Sequence, residues 1–165
     1  MSLGANSLVF GTTNSTTIAG AVTGSGTLSK VGSGTVTISN ANGLFTGPVA
    51  LNAGQITIGS NTALGTNVLT MAAGTTLSVS AGVTAANNIV LSGAANIDVT
   101  SIGIGALSGI ISGGGSLTKT GPYVLALSGI NTYSGGTTVN AGTLALVNTG
   151  LLDNTGSVTL NGGTF

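Results

Sequence analysis

The chain contains no cysteine, histidine, arginine, glutamate or tryptophan. Without cysteine it can build neither a disulfide framework nor a thiolate metal site. Without histidine the usual zinc ligand sets are closed to it as well. Charged residues make up 2% of the sequence, against roughly 25% in ordinary soluble proteins. Lys30, Lys119, Asp98 and Asp153 are the whole inventory, and the net charge is zero. Such a surface offers no electrostatic footing for nucleic acid or anionic lipid. No apolar run approaches the roughly 18 residues of a membrane helix, so membrane insertion by this segment is not expected. Residues 1–10 lack the basic start and long apolar stretch of a secretion signal. Disorder usually goes with high polarity and strong net charge, and neither is present.

Glycine occurs 30 times, and short β-branched runs fill the spaces between glycines. Helix is disfavoured by that glycine content and by the lack of Glu and Arg. Thr35–Ile38, Gln55–Ile58, Val68–Met71, Thr76–Val79, Ile89–Leu91, Tyr123–Leu127, Thr143–Val147 and Val158–Leu160 read as strands. Most alternate apolar with small polar residues, the period of a half-buried strand. Gly, Asn and Ser separate them as tight turns require.

An internal repeat with a period of 89 residues runs through nearly the whole chain. Thr27-Leu28-Ser29-Lys30-Val31-Gly32 returns as Ser116-Leu117-Thr118-Lys119-Thr120-Gly121. Ser39 and Asn42 return as Ser128 and Asn131. After a one-residue gap, Phe45-Thr46-Gly47 returns as Tyr133-Ser134-Gly135, and Asn52-Ala53-Gly54 as Asn140-Ala141-Gly142. Within this unit, corner glycines recur at Gly4, Gly26, Gly54, Gly74, Gly93, Gly115, Gly142 and Gly163, with spacings of 22, 28, 20, 19, 22, 27 and 21. Four corners per unit predict about 22 residues per turn, a length that suits one coil of a parallel β-solenoid. The reading is therefore an all-β chain of about seven to eight coils with no significant α-helix, forming one domain over residues 1–165. Residues 26–114 are one repeat unit, 115–165 an incomplete second, and 1–25 the end of a preceding copy. Leu28, Ile56, Leu77, Ile97, Leu117 and Leu144 are expected to stack as an inward ladder. Asn52, Asn140 and Asn161 are candidates for a side-chain amide ladder. A barrel or sandwich also predicts short strands, but not corners nested in a long repeat.

Few residues offer chemistry. Acid–base cleavage of sugars takes two carboxylates about 5–10 Å apart. Asp98 and Asp153 are the only ones present, and their repeat equivalents are Val9 and Gly65. Each reads as a solvated surface or turn residue. Lys30 and Lys119 share a motif position. They read as solvated strand-end lysines covering apolar surface with their stems, in preference to glycan contacts. Gly113-Gly114-Gly115 lacks the Lys-Ser/Thr and helix of a phosphate loop and reads as a corner. Phe45 and Tyr133, as repeat equivalents, are expected to pack on or inside the coil. Regular Thr-x-Thr occurs only at Thr35–Thr37, so an ice-binding threonine ladder is not expected. No catalytic residue, metal ligand or cofactor site is assigned.

The stretch from Gly115 to Leu144, GSLTKTGPYVLALSGINTYSGGTTVNAGTL, closely resembles the autotransporter passenger-associated β-strand repeat. Residues 26–56 carry a weaker copy, with Phe45 where the motif has Tyr and Pro48 where it has a small polar residue. The resemblance implies a right-handed β-helix from a secreted bacterial surface protein, serving as a stalk or adhesin. It further implies a repeat that assists passenger export and folding.

Residue 165 aligns with residue 76 and residue 1 with residue 90, so the sequence starts and stops inside a unit. Uncapped coils expose core and strand edges. The expected partner is therefore a second copy stacked head to tail into a filament, or the continuation of a longer passenger. A structural rod or filament subunit ranks first among functions, an adhesin binding surface glycans second, and a polysaccharide-cleaving enzyme a distant third.

Overall fold

The computed structural model describes residues 1–152 and 156–165, and among them there is no helix. Short strands wind into a solenoid with three faces. The first face stacks β1 (Leu8–Phe10), β3 (Leu28–Lys30), β5 (Val49–Leu51), β7 (Leu69–Met71), β10 (Ile89–Leu91) and β13 (Ile111–Ser112). It is continued by β16 (Ile130–Asn131) and β19 (Leu151–Leu152), since the Thr132 amide donates to the Ile111 carbonyl at 2.8 Å. The second face stacks β2 (Thr16–Ile18), β4 (Thr35–Ile38), β6 (Gln55–Ile58), β8 (Thr76–Val79), β11 (Ala95–Val99), β14 (Leu117–Lys119), β17 (Thr137–Val139) and β20 (Val158–Leu160). The third face carries β9 (Thr84–Ala85), β12 (Ile104–Leu107), β15 (Val124–Leu127) and β18 (Thr143–Leu146).

Every strand pairing among the described residues is parallel. Backbone hydrogen bonds therefore run from coil to coil, as parallel ladders require. Eight strands deep on the second face, the stack is about 34 Å long at about 4.8 Å per coil. The alternation seen in the sequence sets the facing: in β4 and β6 the isoleucines and Val36 point inward while Thr35, Gln55, Thr37 and Thr57 point out. One continuous core results, with Val36, Ile56, Leu77 and Ile97 stacked in register on the second face. Each coil hides its inner face only against its neighbours and the opposite faces of the same coil.

The coil is shorter than the sequence spacing predicts. Leu28 pairs with Val49, Val49 with Leu69 and Leu69 with Ile89, so one turn takes about 20 residues. The discrepancy comes from counting corners across different columns. Gly26 and Gly47 stand in the column that precedes the first face. Gly54, Gly74, Gly93, Gly115 and Gly135 stand between the first and second faces, and Gly142 lies between the second and third, with Gly163 following it in that column. The two long spacings, Gly26 to Gly54 and Gly115 to Gly142, are thus each one coil plus one face. For the same reason Leu28 stacks on Val49, not on Ile56, and Leu117 on Thr137, not on Leu144.

Glycine is required at these corners for two separate reasons. Gly54 has a φ of +70°, a left-handed conformation costly to residues with a Cβ. Gly115 lies so close to the backbone of Gly93 in the coil before it that a methyl group has no room.

Candidate functional site

The two copies of the repeated motif occupy different faces. The first runs through β3 and β4, crosses a turn holding Asn42 and Phe45, and continues into β5 and β6. The second runs through β14 and β15, then Asn131 and Tyr133, then β17 and β18. Four coils above Leu28 on the first face lies Ile111, whereas the repeat equivalent of Leu28 is Leu117 on the second face. The repeat period is therefore four coils plus one face. The same sequence serves on two sides of the rod because each face presents the same local geometry: strand, glycine corner, strand.

Both lysines contradict the solvated reading. Lys30 and Lys119 have no exposed surface. Each occupies an inward position at the last residue of its strand, with the alternation placing Leu28 and Leu117 inward as well. The stem lies in the core, and the ammonium curls into the adjoining corner, whose carbonyls have turned away from the ladder. Lys30 Nζ donates to the Gly32 carbonyl. Lys119 Nζ donates to the carbonyls of Thr120, Gly121 at 2.8 Å and Ala141 at 3.4 Å. A buried ammonium thus satisfies acceptors that would otherwise be lost from water. Desolvation lowers both lysine pKa values below the ordinary 10.5, and the nearby Asp98 carboxylate opposes that shift at Lys119.

Asp98 is not a freely solvated surface residue either. It points out from β11 and is half-buried, and its Oδ1 is buried without a hydrogen-bond partner. That oxygen occupies the space that a side chain at Gly121 would need. Asp153 lies outside the described residues.

Asn42 and Asn131, visible in the sequence only as repeated letters, are the other polar side chains buried in both copies of the motif. Asn42 Oδ1 accepts from the Val22 amide at 2.8 Å, and its Nδ2 donates to the Ala63 carbonyl at 2.7 Å. Asn131 Oδ1 accepts from the Ile111 amide at 3.0 Å, and its Nδ2 donates to the carbonyls of Gly129 at 2.8 Å and Leu151 at 3.1 Å. Each amide clamps the coil before it to the coil after it. Recurrence of one asparagine within an apolar, turn-rich stretch is the available signal, because a buried amide persists only where its bonds are made.

Phe45 and Tyr133 are both buried. The Tyr133 hydroxyl lies 2.5 Å from Thr137 Oγ1, and burial raises its pKa while this bond opposes the rise. The repeat equivalent of Thr137 is Val49. Where the ring has a hydroxyl its neighbour has one; where the ring is Phe the neighbour is Val. The substitution is paired because a lone buried hydroxyl is costly.

The asparagines of the predicted ladder, Asn52, Asn140 and Asn161, sit on the outside. Asn161 Nδ2 donates to Asn140 Oδ1 at 2.9 Å, forming one step of an amide ladder. Asn52 stands apart from them and donates to Ser29 Oγ at 3.1 Å. Gly113 and Gly115 turn the chain between β13 and β14. A shallow pocket of about 220 Å³ is lined by Asn61, Thr62, Gly65, Thr66, Ala86 and Asn87. The Asn61 and Asn87 amides that edge it are spent on backbone groups of Thr84, Gly65 and Asn67.

The Asn42 and Asn131 amides bridge successive coils, Lys119 reaches one carbonyl of the following coil, and Lys30 and Tyr133 tie side chains within their own coil; all of these positions lie within the two stretches that comparison with known proteins singles out. The profile of the passenger-associated-transport-repeat matches residues 28–58 and 117–146. No curated protein and no solved structure matches the chain. The first matched stretch begins at the first residue of β3 and ends at the last of β6; the second begins with β14 and ends with β18. The chain carries two copies of the passenger-associated-transport repeat on a parallel β-solenoid, and this combination fits a segment of an autotransporter passenger.

Proposed function

We propose that the chain is a non-catalytic rod segment of an autotransporter-like passenger that acts outside the cell, and that its two motif copies are the units that order first and template the coils beside them. One observation carries this reading. Each matched stretch contains both members of two stacked strand pairs: β3 with β5 and β4 with β6 in the first copy, β14 with β17 and β15 with β18 in the second. A copy therefore holds a complete coil-to-coil contact within its own length. Closing that contact costs the entropy of one coil-length loop, as it does for β7 with β10 and β8 with β11 between the copies, and it is the buried asparagine amides bridging the coils on both sides that set the motif copies apart. Asn42 and Asn131 then offer amide groups to the coils on either side. A chain that emerges through a membrane unfolded would gain from such self-contained starting points.

The non-catalytic part rests on how the charges are used. Both ammonium groups are committed to backbone carbonyls, and Asp98 is directed at a glycine corner. Pulse-labelled hydrogen exchange during refolding tests the proposal. Protection is expected first in residues 28–58 and 117–146. Earlier protection in the coils between them, residues 69–107, would overturn it.

A further inference from the structure

We infer that the chain carries two sites of spontaneous deamidation, Asn42-Gly43 and Asn161-Gly162, and that folding closes the first and leaves the second open. Asn-Gly occurs twice in the sequence, at these positions. A glycine after asparagine presents a backbone nitrogen that no Cβ shields, on the most freely rotating of residues. That nitrogen bonds to the asparagine Cγ, the Cγ–Nδ2 bond breaks, and ammonia leaves with the glycine amide proton. Water then opens the resulting succinimide ring at either carbonyl, giving aspartate or isoaspartate. The balance needs water and nothing else.

The side chain must turn toward its own backbone to react, and the two sites differ in that freedom. Asn42 is buried and held at both ends of its amide. Its Oδ1 accepts from the Val22 amide at 2.8 Å, and its Nδ2 donates to the Ala63 carbonyl at 2.7 Å. Its backbone is fixed too: the Asn42 amide donates to the Thr62 carbonyl at 3.1 Å, and its carbonyl accepts from the Phe45 amide at 2.8 Å. Attack on Cγ therefore requires this clamp to open locally. Asn161 is exposed, and its Nδ2 donates to Asn140 Oδ1, on another exposed side chain, at 2.9 Å. Gly162 is exposed as well, and no hydrogen bond among the described residues holds its amide.

The motif copies differ at this point. Asn131, the equivalent clamp, is followed by Thr132, where the first copy has Gly43 and Leu44. A β-branched neighbour is stiff and crowds the attacking nitrogen, so the lability belongs to the first copy. Gly43 is not demanded by conformation: its φ is not positive, and a methyl group there meets nothing within 4 Å. The consequences differ too. An aspartate at 42 still accepts from Val22 but has no proton for the Ala63 carbonyl, and it buries a charge. An aspartate at 161 stays in water. The first copy thus records time spent unfolded: a chain that folds promptly keeps its clamp, and one that lingers loses it.

The experiment incubates the whole chain at mildly alkaline pH, in buffer and in guanidinium, with circular dichroism establishing the folded and unfolded states. Peptide mass mapping reads the single mass unit gained, and the isoaspartate formed, at each site. In buffer Asn161 should convert while Asn42 stays intact; in guanidinium both should convert. Folding should slow the reaction at Asn42 by about tenfold or more. Gly43→Ala should keep the fold and suppress conversion of Asn42 in guanidinium, leaving Asn161 unchanged. Because the chain has zero net charge, converted forms separate by ion exchange. The form altered at 42 should refold with a lower unfolding midpoint, and the form altered at 161 like the fresh chain. Conversion of Asn42 in buffer at its guanidinium rate, or protection of Asn161 equal to that of Asn42, would overturn the inference.

Discussion

Substitution of adjacent glycines tests how tightly the coils meet. Gly114 and Gly115 are neighbours in one corner. A methyl group at 114 meets nothing within 4 Å, whereas at 115 it lies 2.6 Å from the carbonyl carbon of Gly93 and 2.8 Å from its nitrogen. Ordinary contact begins at 3.4 Å and the Gly93 carbonyl oxygen lies closer still than its carbon, so the coils must part by more than an ångström. Gly115 cannot move freely, because its amide donates to Leu91 at 2.9 Å and its carbonyl accepts from Gly135 at 3.1 Å. Weakening two hydrogen bonds costs about 1 kcal/mol each, and overpacking adds about 1–3 kcal/mol. Reduced entropy of the unfolded chain returns about 0.4–1 kcal/mol. Gly115→Ala should therefore lose about 2–4 kcal/mol, a fall in melting temperature of about 5–15 °C for a chain of this size. Gly114→Ala should be unchanged or up to about 1 kcal/mol more stable. Thermal and guanidinium unfolding followed by far-UV circular dichroism measures both. Equal, small effects at the two positions would refute the close stacking of backbones at this corner.

Three further outcomes follow from the buried polar groups. Asn131→Leu strands the Ile111 amide and two carbonyls and should cost about 2–4 kcal/mol in chemical denaturation. Tyr133→Phe alone leaves the Thr137 hydroxyl unpaired and should cost about 1–2 kcal/mol. Adding Thr137→Val recreates the Phe45–Val49 arrangement and should restore most of that loss in a double-mutant cycle. The pH dependence has two opposed parts. Lys30 and Lys119 have folded pKa values below 10.5, so the unfolded chain holds more protons as pH rises from those values to 10.5, and stability increases across that window. Tyr133 has a folded pKa above 10.0, so stability falls once pH passes 10.0. Unfolding midpoints against pH should thus rise and then turn down, and Tyr133→Phe should remove the downturn.

Much of the fold is written in local pattern. Thr35–Ile38 and Gln55–Ile58 alternate so regularly that their inward and outward residues can be named without coordinates. The coil length is less accessible, because a glycine corner looks the same whichever edge of the triangle it turns. Gly26 and Gly54 are alike in sequence yet stand in different columns. Lys30 and Lys119 mislead for a physical reason: charge normally marks solvent, but a corner rich in unpaired carbonyls is itself a polar environment. The outward column Thr35, Gln55 and Thr76 is hidden because its members lie a full coil apart along the chain and become neighbours only when stacked. The repeat, in contrast, signals Asn42 and Asn131 without revealing that their amides bridge successive coils.

The three-faced coil, with each strand stacked on the strand about 20 residues before it, is tested most directly by pairs of nitroxide labels on cysteines introduced into this cysteine-free chain. Ser29 with Ala50 and Thr118 with Thr138 are register partners, about 4.8 Å apart between Cα atoms, and should show strong dipolar broadening in electron paramagnetic resonance. Ser29 with Thr57 and Thr118 with Ala145 lie on different faces and should not. The reverse pattern, broadening in the second set and none in the first, would contradict the three-faced coil on which the whole account stands.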